Sequence, residues 1–171
     1  MRRGGDTQDS APSQARSLQS DVTPCKVNME KIILKSETDT QAFAQQLADM
    51  NLTGSVWLVG DLGAGKTTLT RYWLQALGHT GAVKSPTFSL VEPYRILQQD
   101  GTIKPVYHAD LYRLNDPEEL EFIGFQDYFS DDSLVIIEWA SRAESHLPAP
   151  DWVIDIQRVA GGEARQVTLG K

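Results

Sequence analysis

The segment from Gly60 to Thr67 constrains the fold of this chain more than any other stretch. It reads GDLGAGKT and fits the pattern G-x-x-x-x-G-K-[ST] of a phosphate-binding P-loop. The apolar run 55–59 before it predicts a short buried strand, and residues 68–77 after it predict a helix. A glycine-rich turn that merely links a strand to a helix is the alternative, but the strand–loop–helix order is the context that a P-loop requires. The sequence therefore predicts a nucleotide-phosphate site.

The residue types in this loop suit phosphate binding. Gly60, Gly63 and Gly65 allow positive φ angles and let the backbone approach a ligand closely. The N–H groups of such a loop form a cradle for anions at the start of the following helix. Lys66 brings a positive charge to the outer phosphates, and the Thr67 hydroxyl is placed to bind Mg²⁺.

Composition limits the possible partners. The 171 residues suggest one domain, and the net charge of −7 argues against a protein that binds nucleic acid on its own, because phosphate neutralisation needs clustered Lys and Arg. Cys25 is the only cysteine, which excludes an intramolecular disulfide and a Cys-rich metal site. No run of 18 apolar residues and no signal-peptide pattern is visible, so we expect a cytoplasmic protein without a membrane span.

Residues 1–28 differ in composition from the rest of the chain. They are polar, with no aromatic residue and no apolar period, so we expect a disordered tail before a P-loop ATPase domain at 29–171. Three arginines in the tail would suit a targeting peptide, but three aspartates argue against a transit peptide. Met29 stands where the predicted structure begins, and we hypothesise that it is the true initiator. Residues before Met29 in a mass spectrum of the native protein would contradict this.

Two acidic residues follow predicted strands. The apolar run 134–137 ends at Glu138, at the carboxyl end of a strand, where ligands bind in open α/β sheets. Glu138 is therefore a candidate Mg²⁺ ligand, with an ordinary surface acid as the alternative. Asp110 also lies between a strand and a loop. It could orient water or hold a water ligand of Mg²⁺, and the alternative is a structural role as a helix cap or a partner of Arg113. His108 is as compatible with strand packing as with catalysis.

Thr87 lies on a loop after the P-loop helix, bounded by Gly and Pro residues. Nucleotide-dependent switch segments occupy this place in other P-loop proteins, so its hydroxyl is a candidate contact for the metal or the γ-phosphate. Further along, Asp100-Gly101 between two apolar segments predicts a β-hairpin. A hairpin beside a P-loop unit implies a mixed sheet rather than a purely parallel one.

Five motifs occur in order along the chain. They are GDLGAGKTT at 60–68, KSPTFSLVEPY at 84–94, HADLYRL at 108–114, DPEEL at 116–120 and IEW at 137–139. Together they resemble the TsaE (YjeE) family of bacterial ATPases, which are required for the threonylcarbamoyladenosine modification of tRNA. The resemblance covers about residues 31–169 and leaves the tail outside.

The resemblance implies a fold, cofactors and partners. The fold is an α/β fold of the P-loop NTPase type, a three-layer sandwich with a mixed, mainly parallel sheet. The activity is a Mg²⁺-dependent ATPase that acts with the TsaD and TsaB proteins, the pair that transfers threonylcarbamoyl to adenosine in tRNA. ATP and Mg²⁺ are then the expected cofactors, and the tRNA is reached only through the complex with these partners.

The resemblance also assigns residues. Thr67 and Glu138 are expected to hold Mg²⁺, and the adenine is expected near the Ser36–Thr40 turn and the Gly161-Gly162 loop. The residues expected to act in catalysis are Lys66, Thr87 and Asp110. The residues expected to contact ATP are Glu37, Thr38, Thr40, Asp61, Leu62, Gly63, Ala64, Gly65, Lys66, Thr67, Thr68 and Gly161.

Two other functions stay open at this point. A small-molecule kinase would share the P-loop, although the sequence has no Arg-rich lid that would clamp a phosphate donor. An ATP-gated assembly module would need nucleotide binding but no hydrolysis. The absence of an N-K-x-D sequence leaves guanine specificity without a basis.

Overall fold

The computed structural model describes residues 30–86, 88–159 and 162–171, which form a sheet with helices on both faces. The predicted tail and the predicted initiator lie outside these residues. The strands are β1 (Glu30–Leu34), β2 (Gly54–Val59), β3 (Val91–Leu97), β4 (Ile103–Asp110), β5 (Leu134–Glu138), β6 (Trp152–Arg158) and β7 (Arg165–Gly170). The α-helices are α1 (Glu37–Asp49), α2 (Lys66–Ala76) and the single turn α3 (Glu119–Phe122), and short 3₁₀ segments cover Phe125–Tyr128, Ala140–Arg142 and Glu144–His146.

The strands lie in the order β1-β7-β6-β2-β5-β4-β3. The four central strands β6, β2, β5 and β4 run parallel to one another, whereas β1, β7 and β3 pair antiparallel with their neighbours. The predicted α/β class and mixed sheet are confirmed, with three parallel pairings at the centre and three antiparallel pairings toward the edges. The predicted hairpin is present as β3–β4, with its turn around Gly101 at a φ of 85°.

Helix α1 begins with a capping box. The Ser36 hydroxyl accepts a hydrogen bond from the Asp39 N–H at 3.2 Å, and the Asp39 carboxylate accepts one from the Ser36 N–H at 3.0 Å. The segment 36–40, expected as a turn, therefore forms the N-cap and first turn of this helix. The buried side chains Phe43, Ala44 and Leu47 follow at helical spacing and face the sheet.

Each face of the sheet carries its own apolar core. Helices α1 and α2 cover one face, and the side chains buried between them and the sheet include Trp73, Leu74, Val56 and Ile136. The opposite face is covered by α3 and the 3₁₀ segments, with Phe125 and Ile137 at the centre of its core. The arrangement is the predicted three-layer sandwich, although its second helical layer is made of very short pieces. None of the helices in the described ranges is long and apolar enough to cross a membrane.

The parallel centre determines where a site can form. Strands that run parallel end at the same edge of a sheet, and this edge is where open α/β sheets bind ligands. Here β2 runs into the P-loop, while β4 ends at Asp110, β5 at Glu138 and β6 at Arg158. The register places Asp110 directly beside Glu138, and Leu58 beside Glu138 on the other side.

Candidate active site

The P-loop turns sharply between β2 and α2. Gly60, Gly63 and Gly65 adopt φ angles of 146°, 73° and 110°, which side chains with a Cβ rarely adopt. At Gly60 the restriction is also steric, because a Cβ there would lie 2.3 Å from the carbonyl oxygen of Ile156 on β6. Gly65 is the N-cap of α2, so the first free N–H groups of this helix face the loop.

Lys66 is held inside the loop. Its Nζ donates hydrogen bonds to the carbonyl oxygens of Gly60 at 2.7 Å and Asp61 at 3.0 Å. The same ammonium lies 4.3 Å from the ring centroid of Trp139, a cation–π distance. Burial lowers the pKa of Lys66, while the negative charges of Glu138, Asp110 and Asp61 act in the opposite direction. The positive charge is thus available at the loop and surrounded by acids.

Thr67 and Glu138 are in direct contact. The Thr67 hydroxyl lies 3.0 Å from one carboxylate oxygen of Glu138 and 3.2 Å from the other. Glu138 is 2% exposed, and the carboxylate is also bonded to the Nε2 of His108 at 2.9 Å. The two residues predicted to share a metal are therefore brought together, and β5 delivers the acid because its last residue reaches the loop edge.

These oxygens fit a magnesium ion. Mg²⁺ prefers oxygen ligands, and proteins usually bind it through one or two side chains together with substrate phosphates and water. Across the described ranges, no group of three or more His, Cys, Asp or Glu side chains is arranged to hold a metal on its own. One hydroxyl and one carboxylate beside a phosphate loop match a site in which Mg²⁺ is held by a few side chains together with substrate phosphates and water.

Asp110 faces the same space. Its carboxylate accepts hydrogen bonds from the Ser85 hydroxyl at 2.9 Å and from the Tyr112 N–H at 3.1 Å. The pairing with Arg113 that the sequence left open is not among its contacts, since this guanidinium lies over the ring of Phe88 at 5.0 Å. Ser85 ties the loop after α2 to β4, so the acid is fixed from two sides.

Two adjoining cavities surround the loop. A cavity of about 400 Å³ is lined by Leu62, Lys66, Thr67, Ser85, Asp110 and Glu138 among others. A second cavity, of about 290 Å³, is lined by Glu37, Thr40, Ala64, Thr68 and Arg165 among others. Gly63, Gly65 and Thr68 border both of them, so they adjoin along the loop. Their sizes and order suit phosphates in the first cavity and a base in the second.

The predicted contact residues are distributed unevenly around these cavities. Thr38 and Asp61 line neither of them, although the Asp61 carbonyl holds Lys66. Thr87 and Gly161 lie outside the described residues. The remaining predicted residues of the site border one cavity or the other.

Two arginines were missed by the sequence reasoning. The Arg158 guanidinium donates to the carbonyl oxygen of Gly63 at 2.8 Å, and the Nε of Arg165 donates to that of Ala64 at 2.9 Å. Arg158 ends β6 and Arg165 begins β7, and both anchor the P-loop, but only Arg165 lines the second cavity. Their distance from the loop in sequence, about a hundred residues, left no spacing signal.

The sequence is similar to that of known proteins. A family model described as threonylcarbamoyl adenosine biosynthesis protein TsaE matches residues 34–167. A Haemophilus influenzae protein is 56% identical over 114 residues, which cover 67% of this chain and 68% of the relative. A Bacillus subtilis protein is 40% identical over 132 residues, which cover 77% and 78%. Both relatives are named tRNA threonylcarbamoyladenosine biosynthesis protein TsaE.

A solved structure is also similar. The crystal structure of Bacillus subtilis YdiB superimposes with a TM-score of 0.63 at 32% sequence identity, covering 82% of this chain and 84% of that one. The structural similarity therefore covers about four fifths of this chain. The family model, which matches residues 34–167, includes the P-loop, Asp110 and Glu138.

Proposed function

We propose a function from the premise that this chain belongs to the TsaE family of threonylcarbamoyl adenosine biosynthesis proteins. The role of this family is in the biosynthesis of threonylcarbamoyladenosine in tRNA. We propose that the chain serves it as a cytoplasmic, Mg²⁺-dependent ATP hydrolase that works with TsaD and TsaB. The observation that carries the proposal is the gathering of Lys66, Thr67, Asp110 and Glu138 around one cavity at the P-loop.

The proposed reaction is the in-line attack of water on the γ-phosphorus of ATP. A new P–O bond forms to the water oxygen, the bond between the γ-phosphorus and the bridging oxygen breaks, and ADP leaves with the electron pair. Lys66 and the N–H groups of the loop stabilise the negative charge on the phosphoryl oxygens. Mg²⁺, when held by Thr67 and Glu138, supplies further positive charge to these oxygens.

Asp110 is the proposed group that orients the water. Its carboxylate faces the cavity, and its fixed bonds to Ser85 and the Tyr112 N–H hold it in one orientation. A carboxylate in this position accepts a hydrogen bond from water and takes up the proton that the water loses. Replacement of such a group typically lowers turnover by about 10²–10⁴-fold.

The proposed partners follow from charge as well as from family. The net charge of −7 disfavours direct binding of tRNA, so contact with tRNA is proposed to run through TsaD and TsaB. Arg113 borders the cavity, but its guanidinium is placed over Phe88 rather than at the phosphate loop. Because Arg113, among the described residues that line this cavity, is turned toward Phe88, we expect slow hydrolysis alone and faster hydrolysis with the partners.

Phosphate release with ATP as the only substrate tests the proposal. Release by the wild type, stimulated by TsaD–TsaB and nearly abolished in Lys66→Ala and Asp110→Ala, is the expected result. Asp131→Asn, a change at an exposed acid outside the cavity, is the matched control and should behave as the wild type. Equal rates with and without the partners would contradict the proposed activation, and no release at all would contradict the hydrolase.

The same variants separate the two alternatives. Stoichiometric phosphate release from ATP without a second substrate excludes a small-molecule kinase. If Asp110→Ala binds ATP and the partners but does not support tRNA modification over many turnovers, then hydrolysis is required. If it supports modification normally, the chain acts as an ATP-gated assembly module.

A further inference from the structure

His108 is a completely buried polar side chain with one polar contact. It lies on β4 at 0% exposure, and its Nε2 is 2.9 Å from a carboxylate oxygen of Glu138. Its other ring nitrogen, Nδ1, is buried without a hydrogen-bond partner among the described residues. Because a carboxylate oxygen accepts the bond, Nε2 must carry the hydrogen. Among the described residues, the imidazole therefore makes its one polar contact with Glu138.

This arrangement is costly for the fold. A buried polar atom without a partner destabilises the folded state, whereas an apolar side chain would fill the same place without that penalty. The two neighbours of His108 on the same face of β4 illustrate the difference. Val106 is an apolar residue that fills the core, whereas Asp110 is a polar residue that lines the cavity. The cost at His108 therefore points to a role at Glu138 rather than in packing.

The strand register makes the contact possible. β4 and β5 pair in parallel with His108 beside Ile136, so Glu138 follows two residues later on the same face of the sheet. The imidazole reaches the carboxylate from the core side, while the Thr67 hydroxyl reaches it from helix α2. Thr67 is one of the two proposed metal ligands, so its hydroxyl would turn toward the metal. His108 is not a proposed ligand, so its hydrogen bond to Glu138 would be kept when the metal is bound.

We propose that His108 is a positioning residue that holds the Glu138 carboxylate in the orientation needed for Mg²⁺–nucleotide binding. The inference rests on the proposed function. Groups that hydrogen-bond to metal ligands orient them, and their loss typically weakens metal affinity or activity by about 10–100-fold. His108 acts through Glu138 and touches neither the nucleotide nor the reacting atoms.

A pair of nearly isosteric variants tests this. In His108→Gln the amide nitrogen occupies the place of Nε2 and can donate to Glu138, whereas His108→Met has the same length and no donor. The readout is the Mg²⁺ concentration that half-saturates binding of a fluorescent ATP analogue, with thermal unfolding as the check on folding. We expect a rise of about tenfold or more in His108→Met and of less than about threefold in His108→Gln.

Two further variants sharpen the test. His108→Asn carries an amide that is too short to reach Glu138, so its Mg²⁺ requirement should rise as in His108→Met. The test therefore still works if His108→Met does not fold. In a Glu138→Gln background, His108→Met should cause no further rise, because the group that His108 orients has lost its charge. A purely structural role would instead produce the same loss in both backgrounds.

The outcomes also separate this inference from the function on which it rests. If wild-type binding of the analogue does not respond to Mg²⁺, the proposed function fails. If the wild type responds and His108→Met and His108→Asn respond identically to it, the positioning role alone is wrong. Equal losses in His108→Gln and His108→Met would likewise overturn it, because the donor would then not matter.

Discussion

Thr67 and Glu138 lie 71 positions apart in the chain, yet the Thr67 hydroxyl is 3.0 Å from the Glu138 carboxylate. The hydroxyl is at the start of α2 and the carboxylate is at the end of β5, the strand that pairs with β2. The contact therefore closes the P-loop onto the neighbouring strand. It also brings together the two oxygen-bearing groups that we propose as Mg²⁺ ligands, beside the phosphate-binding loop.

Glu138→Gln tests the charge at this contact. Glutamine keeps the size of the side chain and one acceptor oxygen, but it replaces the other oxygen with an amide nitrogen and removes the negative charge that attracts a divalent cation. We expect the Mg²⁺ concentration for half-maximal ATP hydrolysis to rise by about tenfold or more. A Mg²⁺ titration of phosphate release measures this, and Glu121→Gln on the exposed side of α3 is the control. An unchanged titration in Glu138→Gln would remove the carboxylate from the proposed metal site.

Gly60→Ala tests the packing of the P-loop against β6. The new Cβ would lie 2.3 Å from the Ile156 carbonyl oxygen, so the backbone would have to move. The positive φ at this position adds conformational strain for alanine. We expect a loss of about 3 kcal/mol in the free energy of unfolding and weaker ATP binding.

Gly78→Ala provides the matched control. Gly78 ends α2 at a φ of 106°, but a Cβ there would meet no described atom within 4 Å. This variant should lose only about 1 kcal/mol and keep its ATP affinity. Denaturant unfolding and nucleotide titration distinguish the two, and equal losses would show that φ strain alone matters at both positions.

Arg165→Met tests the anchoring of the loop by the β6–β7 hairpin. The variant keeps much of the apolar part of the side chain but loses the hydrogen bond to the Ala64 carbonyl oxygen. Ala64 is a residue of the P-loop, so this bond fixes the loop backbone. Hydrogen bonds from charged donors contribute roughly 1.5–3 kcal/mol, so ATP affinity should fall by about tenfold or more. Arg95→Met on the exposed side of β3 is the control. Calorimetric titration with an ATP analogue measures both, and an unchanged affinity in Arg165→Met would contradict the anchoring role.

Lys104 predicts a pH dependence of stability at the other end of the sheet. It is buried in β4, donates to the Asn51 side chain and the Leu52 carbonyl, and burial lowers its pKa below 10.5. Between the folded pKa and 10.5 the unfolded chain binds more protons, so the stability conferred by Lys104 rises with pH through this window.

The comparison with Lys104→Met isolates this effect. The free energy of unfolding of the wild type, relative to the variant, should increase by about 1.4 kcal/mol for each unit by which the pKa is lowered. Denaturant unfolding from neutral pH to above 10.5 measures the difference, with the exposed Lys31→Met as the control. A difference that stays flat or falls with rising pH would mean that the folded pKa is not lowered.

The local parts of the site were predictable from sequence. The P-loop and the β5 segment ending at Glu138 are contiguous patterns, so their residue types and order alone indicate a phosphate loop and a strand-end acid. The β3–β4 hairpin was predictable for the same reason, because Asp100-Gly101 sets a turn. The resemblance to a family then connected these separate patterns.

Contacts that depend on strand register were not predictable. His108 meets Glu138 only because β4 and β5 pair in parallel with a particular alignment, and no local pattern encodes that alignment. The same holds for Arg158 and Arg165, which reach the loop because β6 lies beside β2. Residues 36–40 were expected as a turn with helix N-cap candidates, and the structure uses Ser36 as the N-cap while the helix already begins at Glu37.

The strand order has a consequence for synthesis of the protein. β2, which carries the P-loop, pairs with β5 and β6, and these strands begin only at Leu134 and Trp152. When the P-loop has just emerged from the ribosome, β5 and β6, the two neighbours of β2, have not yet emerged, and neither has Glu138. The site proposed for the nucleotide is therefore one of the last features to be completed, and ATP, as its proposed ligand, would bind only the nearly finished chain.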